Sequence, residues 1–437
     1  ACHLVLLADG SGTLRLESAS EDIHAQLSDE RGEIKRVARL HLRFQQSHGV
    51  LGLDASGRDC RVHYQTEKEG DVFGNASEIH IPAPGVLRLV GNPTAKIHQE
   101  QPMRVVQGRQ ILLQRLDDKA VFVHATGNAR LRLRRQQASD TNKLLSRGGD
   151  HDVELKAADI RLLPYLATPA ARRVHGRGLP AFTWSLQSYA HGSPCLFAAG
   201  NVHLIQRDTM ERVIGRGFGE HLVLRFAEAA SATDGRLSGK GAKLVRIDRR
   251  NRRHVARANL IRFANDQRGQ HLDLLPVADF YPRLTLPAPS GDNTQLGGSD
   301  GGSTVVVCKG RIAVTPDKVR FLGPLEAESL DRSGSVDPTG LHITTAGMVM
   351  DRDPKTGDVT HIQASKDIRF HFQDMDGEAD EMSVNLHRHL IIARGSNKPA
   401  VLRKANGRTV EAAQVNYNYQ TKQIQSWNGR FQVTTPK

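Results

Sequence analysis

Few residues in the sequence have the types and spacing that catalysis requires. Residues 297–301 read Gly-Gly-Ser-Asp-Gly and match the GxSxG pattern of a hydrolase nucleophile. Such a nucleophile needs a strand before the serine and a helix after it, whereas this serine lies in a segment rich in Gly, Ser and Asp. The sequence also contains no GxxxxGK[S/T] phosphate loop and no zinc-binding HExxH motif. It therefore predicts a protein that is not an enzyme and has no catalytic residues.

Two groups of side chains have the chemistry of metal ligands. His387 and His389 alternate along one predicted strand and so share a face, but two ligands do not complete a zinc site. Carboxylates cluster between Asp374 and Glu381, without the spacing or the glycine of a calcium-binding EF-hand loop. We interpret both groups as solvated side chains, and the sequence predicts no metal and no cofactor.

Positive charge is a stronger signal. The chain has 60 Lys and Arg against 47 Asp and Glu, a net charge of +13. A solvated sheet face, anionic lipid headgroups and nucleic acid each account for such a balance. Aromatic residues make up only 5% of the chain, which disfavours nucleic acid because bases stack on aromatic side chains. The candidate contacts for anionic headgroups lie in two arginine-rich runs and are Arg130, Arg132, Arg249 and Arg252.

The length and composition of the chain indicate what kind of fold holds these side chains. A chain of 437 residues is long enough for two or three domains, yet only 38% of it is hydrophobic. This favours an elongated body over one large core. No stretch approaches the ~18 apolar residues of a membrane-spanning helix. Because the chain begins at Ala1 rather than Met, we expect it to be processed or partial.

The pattern of the sequence is that of strands. Apolar and polar residues alternate in segments such as 40–44, 131–133 and 368–372, which is the period of a half-buried strand. Turn-forming pairs, including Asp117-Asp118 and Asn406-Gly407, separate the segments. Helical periodicity is nearly absent. The predicted fold class is all-β, built from stacked antiparallel strands.

A six-residue unit repeats along the chain. It has apolar residues at both ends and small or polar residues between them, and its copies begin at Val106, Leu155, Val255, Leu325 and Val410. One such unit cannot bury its apolar face alone, so stacked units share a continuous interior. The small residues are expected at a corner, where the chain bends and the next layer approaches closely. Ordinary hairpins of a β-sandwich are the alternative interpretation.

Composition also suggests a division of the chain. Residues 287–303 are rich in Gly, Ser, Asp and Pro and nearly devoid of apolar side chains, as is typical of a linker. We therefore predict a β-stack over residues 1–286, with an inserted segment near 162–199, a flexible linker over 287–303, and a second β-stack over 304–437.

Two stretches of the chain resemble the OstA-like, or LptA-like, repeat family. In residues 89–93 and 393–399 an apolar strand runs into Gly-Asn-Pro and Gly-Ser-Asn-Lys-Pro. Residues 408–424 read Arg-Thr-Val-Glu-Ala-Ala-Gln-Val-Asn-Tyr-Asn-Tyr-Gln-Thr-Lys-Gln-Ile. The clearest matches cover residues 85–133 and 378–433. The chain departs from the family in its length and in the segment 162–199, which matches no repeat unit.

The resemblance implies an open, bent stack of strands with repeated units, called a β-taco or β-jellyroll. It further implies that an apolar groove binds and transports a lipopolysaccharide-like amphipathic lipid across the periplasm during outer-membrane assembly. The expected location is the periplasm or the outer membrane. The expected partners are lipopolysaccharide or another anionic glycolipid, and other β-taco proteins that stack edge to edge.

On this hypothesis, inward-facing apolar side chains line the groove and the four arginines lie at its rim. The alternative is a structural β-solenoid, a scaffold or surface adhesin module with a packed interior and no ligand groove. The width of the space between the inward faces distinguishes the two hypotheses. The residues predicted to line the groove are Ile111, Leu113, Val121, Val123, Ile368, Phe370, Phe372, Tyr417 and Tyr419.

Overall fold

The computed structural model contains only strands. The residues it describes form 27 strands and no helix, and all the strands belong to one sheet. The all-β class and the stacking of antiparallel strands are thereby confirmed. Among the described residues, no helix has the length and hydrophobicity needed to cross a membrane. The described residues are 1–6, 11–26, 32–45, 49–65, 71–83, 85–99, 104–115, 121–133, 152–163, 195–208, 210–226, 232–248, 250–266, 269–277, 279–287, 302–354 and 356–433.

The chain divides into two compact units, Ala1–Arg236 and Leu237–Lys437. The first unit contains thirteen strands and the start of a fourteenth. Their bounds are β1 Cys2–Leu6, β2 Ser11–Glu17, β3 Ile23–Gln26, β4 Gly32–Val37, β5 Arg39–Gln45, β6 Gly49–Tyr64, β7 Val72–Ala83, β8 Val86–Gln99, β9 Arg104–Arg115, β10 Val121–Leu133, β11 Asp152–Leu163, β12 Cys195–Arg207, β13 Val213–Phe226 and β14 Ala232–Ile247.

The second unit begins within β14 and contains thirteen further strands. Their bounds are β15 Arg253–Asp266, β16 Gly269–Leu275, β17 Arg283–Pro287, β18 Ser303–Cys308, β19 Arg311–Val314, β20 Lys318–Leu330, β21 His342–Arg352, β22 Val359–Phe372, β23 Met375–Asn385, β24 Leu390–Arg394, β25 Ala400–Lys404, β26 Arg408–Asn418 and β27 Gln423–Val433.

The long strands of the first unit are bent at aligned corners. Each consecutive pair from β6–β7 to β12–β13 has a register shift near its middle. Each shift divides the strand into two arms. We term arm A the side of the corner that includes Ile111 of β9 and Ala125 of β10. Arm B is the other side, which includes Val106 and Leu131 of the same strands. A single bulge would disrupt the hydrogen bonding between two strands. Because every corner here lies beside the next, the bulges together form a continuous bend of the sheet.

Left-handed backbone conformations mark these corners. Gly127 and Asn128 in β10 have φ of 73° and 57°, and Gly200 and Asn201 in β12 have φ of 76° and 51°. Glycine and asparagine adopt this region at lowest cost. A side chain at Gly200 would also meet the neighbouring strand, because an added Cβ would lie 2.8 Å from the Cβ of Ala158. The small residues in the repeated sequence unit therefore make room for the adjacent corner.

The repeated units lie at this line of corners, with one difference. The copies that begin at Val106, Leu155, Val255 and Val410 each run from arm B across the corner into arm A. The copy that begins at Leu325 starts just after the register shift of β20 and lies entirely in arm B, paired with β18. This copy therefore has the sequence pattern of the repeated unit but does not cross a corner.

In the second unit, several layers are divided into two short strands. β15 pairs with β17 in arm B and with β16 in arm A, and β20 pairs with β18 and β19 in the same way. Together with the β16–β19 and β17–β18 pairs, these close a ring of six strands. Similarly, β24 and β25 together form the layer between β23 and β26.

The observed division of the chain differs from the predicted one. The boundary between compact units lies at Arg236 and Leu237, not at 287–303. Pro287 and Ser303 are opposite each other in the β17–β18 pair, so the predicted linker connects two paired strands of the second unit. Likewise Leu163 pairs with Cys195, so the inserted segment leaves and rejoins the sheet at one position. Residues 164–194 and 288–301 lie outside the described residues.

The corner at Gly200 yields a stability prediction. Gly200→Ala is expected to destabilise the protein by about 2–4 kcal/mol, since it combines left-handed strain of roughly 1–2 kcal/mol with steric overlap against Ala158. Gly241, with φ of 66°, is the matched control, because its added Cβ would come no closer than 3.8 Å to Phe280. Chemical denaturation should show the smaller loss for Gly241→Ala. Equal losses would contradict the close packing at the Gly200 corner.

Candidate functional site

A row of buried side chains lies in the interior of the first unit, directly beside the corners. Each of the strands that build it contributes one residue from arm A, and cross-strand pairing connects them in sequence. All of these residues are at most 3% exposed. They form the fixed apolar base of arm A, and they are Leu40, Ala55, Ile79, Leu89, Ile111, Ala125, Ile160, Ala198 and Leu222.

A second apolar row lies two residues farther from the corners on the same face. We term it the apolar ladder. It has one member in each of eleven strands, and pairing connects all neighbours except Ile81 and Leu87, which a register shift separates. At about 4.8 Å per strand, it extends for about 48 Å along the sheet. Its members are Leu4, Leu14, Leu42, Leu53, Ile81, Leu87, Leu113, Val123, Leu162, Leu196 and Leu224.

The apolar ladder is only partly covered. Leu53 and Leu196 are buried, Leu4 is 57% exposed, and the other eight members are half-buried. Isolated exposed apolar residues are normal at protein surfaces, but a contiguous row usually marks a binding surface. The ladder therefore presents a long, partly exposed apolar strip on the inner face of arm A.

Arm B faces arm A across the interior and is more polar near its end. The two arms approach closely at their base, where a Cβ added to Gly74 of arm B would lie 3.2 Å from Cδ1 of Leu89 in arm A. Farther from the corner, pairing in arm B aligns Gln99 with Arg104, and places Gln206 in the same row. Leu133 and Val153 lie between Arg104 and Gln206 in this row, so the interior has an aliphatic side and a side on which polar and apolar residues are mixed.

The second unit has the corresponding row in arm A, but there the row is covered. Pairing connects its ten members from Phe263 to Ile424. Six consecutive members are buried, and these are Val319, Met350, Ile362, Val384, Ile391 and Tyr417. The two units therefore share a backbone plan and differ in how far their interiors open.

Contacts between the two arms close the second unit. The ring of Phe372 in arm B packs edge to face against the ring of Tyr419, which directly follows arm A of β26, with centroids 5.6 Å apart. The Lys404 ammonium lies 5.8 Å from the centre of the Tyr417 ring, a distance at which cation–π attraction operates. Lys422 donates a hydrogen bond to the side-chain oxygen of Gln373. Together these contacts fill the space between the arms with the protein's own side chains.

A charged cluster joins two turns of the second unit. The Arg252 guanidinium lies 2.8 Å from Asp248 within its own turn, and 2.7 Å from Asp358 in the turn between β21 and β22. Arg352 donates to the carbonyl of Gly357 at 3.0 Å. His254 lies beside the cluster, and burial, reinforced by the Arg352 charge, lowers its pKa to about 4. The histidine is therefore neutral at pH 7.

One cavity between the two arms of the second unit is small. A cavity of about 50 Å³ lies among side chains of both arms, including Leu286, Ile343, Met350 and Leu386, and reaches His254. Ligand pockets usually measure ~300–1,000 Å³. A wider furrow of about 370 Å³ lies over β21–β24 and has polar side chains, among them Gln363, Ser383 and Arg394. It is partly polar and unsuited to acyl chains.

The residues predicted to line one groove occupy two places. Ile111 belongs to the buried row, Leu113 and Val123 belong to the apolar ladder, and Val121 lies beyond the ladder with 46% of its surface exposed. The remaining predicted residues, which belong to the second unit, are at most 4% exposed and form part of its packed interior rather than an open groove. They are Ile368, Phe370, Phe372, Tyr417 and Tyr419.

The described rim arginines are engaged by carboxylates. Arg130 lies 3.0 Å from the buried Glu154, and Arg132 lies 2.6 Å from Asp152. Arg252 is held by two aspartates, as described above. Arg249 lies outside the described residues. The predicted rim is therefore not a row of free cations, because each of the three arginines that the structure describes pairs with at least one carboxylate.

Sequence reasoning missed the apolar ladder as a unit. It selected Leu113 and Val123 but not their paired neighbours Leu87 and Leu162, since alternation identifies the face of a strand and not its partner. It also missed a grouping of Glu326, Glu328 and His342, whose ligand atoms lie within 4.8 Å of one another. These side chains are exposed or half-buried on β20 and β21, and His342 contacts Glu326 at 3.1 Å.

Searches of protein-family models and of curated proteins found no match to this chain.

The two interior tyrosines give a matched test of packing in the second unit. The Tyr417 hydroxyl is buried and has no hydrogen-bond partner among the residues that the structure describes, whereas the Tyr419 hydroxyl donates to the carbonyl of Leu386 at 3.3 Å. Tyr417→Phe is expected to leave stability unchanged or raise it by about 1 kcal/mol, and Tyr419→Phe to lower it by about 1 kcal/mol. Urea denaturation measures both. A loss at Tyr417 equal to that at Tyr419 would contradict the assignment of the unpartnered hydroxyl.

His254 predicts a dependence of stability on pH. Its pKa in the folded protein is about 4, below the value of about 6.5 in an unfolded chain. Between these values the unfolded state binds more protons, so the free energy of unfolding falls as the pH is lowered. The contribution approaches about 3 kcal/mol at pH 4. Denaturation at pH 4.5 and 7 should show a shallower dependence for His254→Gln, and identical dependences would exclude this role for His254.

Proposed function

We propose that the first unit binds an amphipathic lipid of the lipopolysaccharide type along its apolar ladder, and that the protein carries this lipid across the periplasm during outer-membrane assembly. The partly exposed ladder is the observation that supports the proposal. Burial of acyl chains against such a row is favourable by about 0.8 kcal/mol for each methylene group removed from water. Many weak contacts of this kind suit long hydrocarbon chains better than compact ligands.

The two sides of the first unit's interior suit an amphipathic ligand. The ladder offers aliphatic surface, while the exposed Arg104 of arm B offers a guanidinium on the facing side of the interior. A phosphorylated glycolipid has matching parts, because its acyl chains are apolar and its headgroup carries anionic oxygens. Lipopolysaccharide or another anionic glycolipid is thus the proposed partner, and the function requires no bond to be made or broken. Location in the periplasm or at the outer membrane, and edge-to-edge association with similar β-stacks, belong to the same proposal.

A structural role is the second candidate, and the second unit favours it. Its arms are joined by Phe372–Tyr419 packing and by the Arg252–Asp358 ion pair, and the cavity of about 50 Å³ beside His254 is too small for an acyl chain. A closed stack of this kind has the properties of a scaffold. We assign lipid binding to the first unit, with the second unit as a rigid β-stack.

The ladder provides a sharp test of the proposal. Leu112 and Leu113 are adjacent in β9 and both half-buried, but they point to opposite faces. Leu113→Gln places an amide in the ladder and should reduce lipid binding about tenfold or more, since a buried amide without partners costs roughly 1–3 kcal/mol. Leu112→Gln is the matched control and should bind as the unaltered protein does.

Binding is measured with a photo-crosslinkable lipopolysaccharide and by native mass spectrometry of the purified protein. Circular dichroism confirms that both variants remain folded. Retention of full lipid binding by Leu113→Gln, or equal losses in the two variants, would reject the ladder as the binding surface. Absence of any bound lipid in the unaltered protein would favour the scaffold alternative.

A further inference from the structure

Four cations of the second unit lie together on the outer face of arm B. They are Lys243 of β14, Arg253 and Arg257 of β15, and Arg283 of β17. The three arginines are exposed and Lys243 is half-buried. None of the four forms an ion pair with a carboxylate in the described part of the chain. They thus differ from Arg130, Arg132 and Arg252, which carboxylates neutralise.

Strand pairing brings three of these cations into one row. Arg257 is directly opposite Arg283 in the β15–β17 pair. The β14–β15 turn is closed by a hydrogen bond from the Asp248 amide to the Arg252 carbonyl, and this register, continued along the strands, places Lys243 opposite Arg257. Directly opposed side chains have Cβ atoms about 5 Å apart. Arg253 lies on the same face of β15, four residues before Arg257. We term these four cations, Lys243, Arg253, Arg257 and Arg283, the basic row.

Like charges opposed across a sheet are destabilising, and the basic row has two such contacts in succession. Burial lowers the pKa of Lys243, and the charges of Arg257 and Arg253 lower it further. Farther across the same face, β18 contributes Val305 and Val307, and the first carboxylates, Glu326 and Glu328, appear only on β20. An external anion would relieve the repulsion that these cations exert on one another.

Exposed apolar side chains lie next to the basic row. The connection from β16 to β17 leads directly into Arg283, and in it Tyr281 is 45% exposed and Val277 is 44% exposed. This connection contacts the corner of β15, where the Asn259 side chain donates to the Val277 carbonyl at 3.0 Å. Exposed tyrosine beside Lys and Arg is typical of surfaces that contact the interfacial region of a membrane.

We propose that the basic row, with Tyr281 and Val277, is a contact surface for an anionic phospholipid bilayer. The cations meet phosphate groups of the headgroups, and the tyrosine and valine enter the interfacial layer. The cations that strand pairing aligns across β14, β15 and β17 can contact several phosphates of one bilayer surface at once. It does not suit single-stranded nucleic acid, because one aromatic residue provides no succession of stacking platforms. This surface is separate from the apolar ladder, and the proposal stands without the proposed transport function.

The test uses the full chain and sedimentation with vesicles. In low salt, we expect binding to vesicles of phosphatidylcholine with phosphatidylglycerol, and no binding to vesicles of phosphatidylcholine alone. Each cation near an anionic surface contributes about a fivefold factor in partitioning. The double variant Arg257→Gln and Arg283→Gln should therefore partition about 25-fold more weakly. Binding of the unaltered protein should also fall in 0.5 M salt, which screens these contacts.

The control variant removes the same net charge elsewhere. Arg320 in β20 and Arg430 in β27 are exposed and lie outside the basic row, so Arg320→Gln with Arg430→Gln should change partitioning only slightly. Equal losses in the two double variants would overturn the proposal, because binding would then follow net charge alone. Failure of the unaltered protein to bind the anionic vesicles would overturn it as well.

Two further measurements complete the design. Tyr281→Ser should weaken vesicle binding without changing the charge, and it replaces the double variant if that variant is not folded by circular dichroism. A single-stranded oligonucleotide is tested in parallel, and loss of its binding in the basic-row variant without loss of vesicle binding would assign the surface to nucleic acid instead. Leu113→Gln in the apolar ladder should bind vesicles normally, so failure of the transport proposal and failure of this one remain distinguishable.

Discussion

The alignment of corners from one strand to the next is the constraint on which the structure depends. A bent strand has two arms whose inner faces must both be covered, and neighbouring strands can pair along both arms only if they bend at the same place. A corner displaced by one residue would turn the apolar face of an arm outward. Small residues and left-handed positions such as Gly200 and Asn201 hold the corners in line, and the interior follows from their alignment.

One backbone plan then supports two kinds of interior. In the first unit, the side chains toward the end of arm A are aliphatic, and the apolar ladder that they form is partly uncovered. In the second unit, aromatic and charged side chains near the ends of the arms meet their counterparts on the other arm, as Phe372 meets Tyr419 and Arg252 meets Asp358. The choice between an open and a closed interior is thus made by a few residues near the ends of the arms, and the repeated unit at the corner has little influence on it.

The sequence was sufficient to predict the features that depend on local pattern. Alternation of apolar and polar residues predicted strands, and the six-residue unit predicted corners at four of its five copies, because both signals lie within a few consecutive positions. Ion pairing could not be predicted in the same way. Arg130 and Glu154 are 24 residues apart and meet only because β10 pairs with β11. An arginine that looked free in the sequence is thus paired in the fold. The sequence likewise did not show that Arg257 lies opposite Arg283, because this contact also depends on which strands pair.

The regular spacing of the apolar ladder has a consequence for motion. Its members from Leu87 to Leu162 are half-buried aliphatic side chains of similar size, paired from strand to strand, so successive positions in this stretch offer nearly the same contacts. A hydrocarbon chain that lies on such a surface has little to lose when it advances by one strand, because the contacts it leaves are replaced by equivalent ones. The energy along the ladder is therefore nearly level, and a bound chain would diffuse in one dimension along the sheet while still shielded from water on one side.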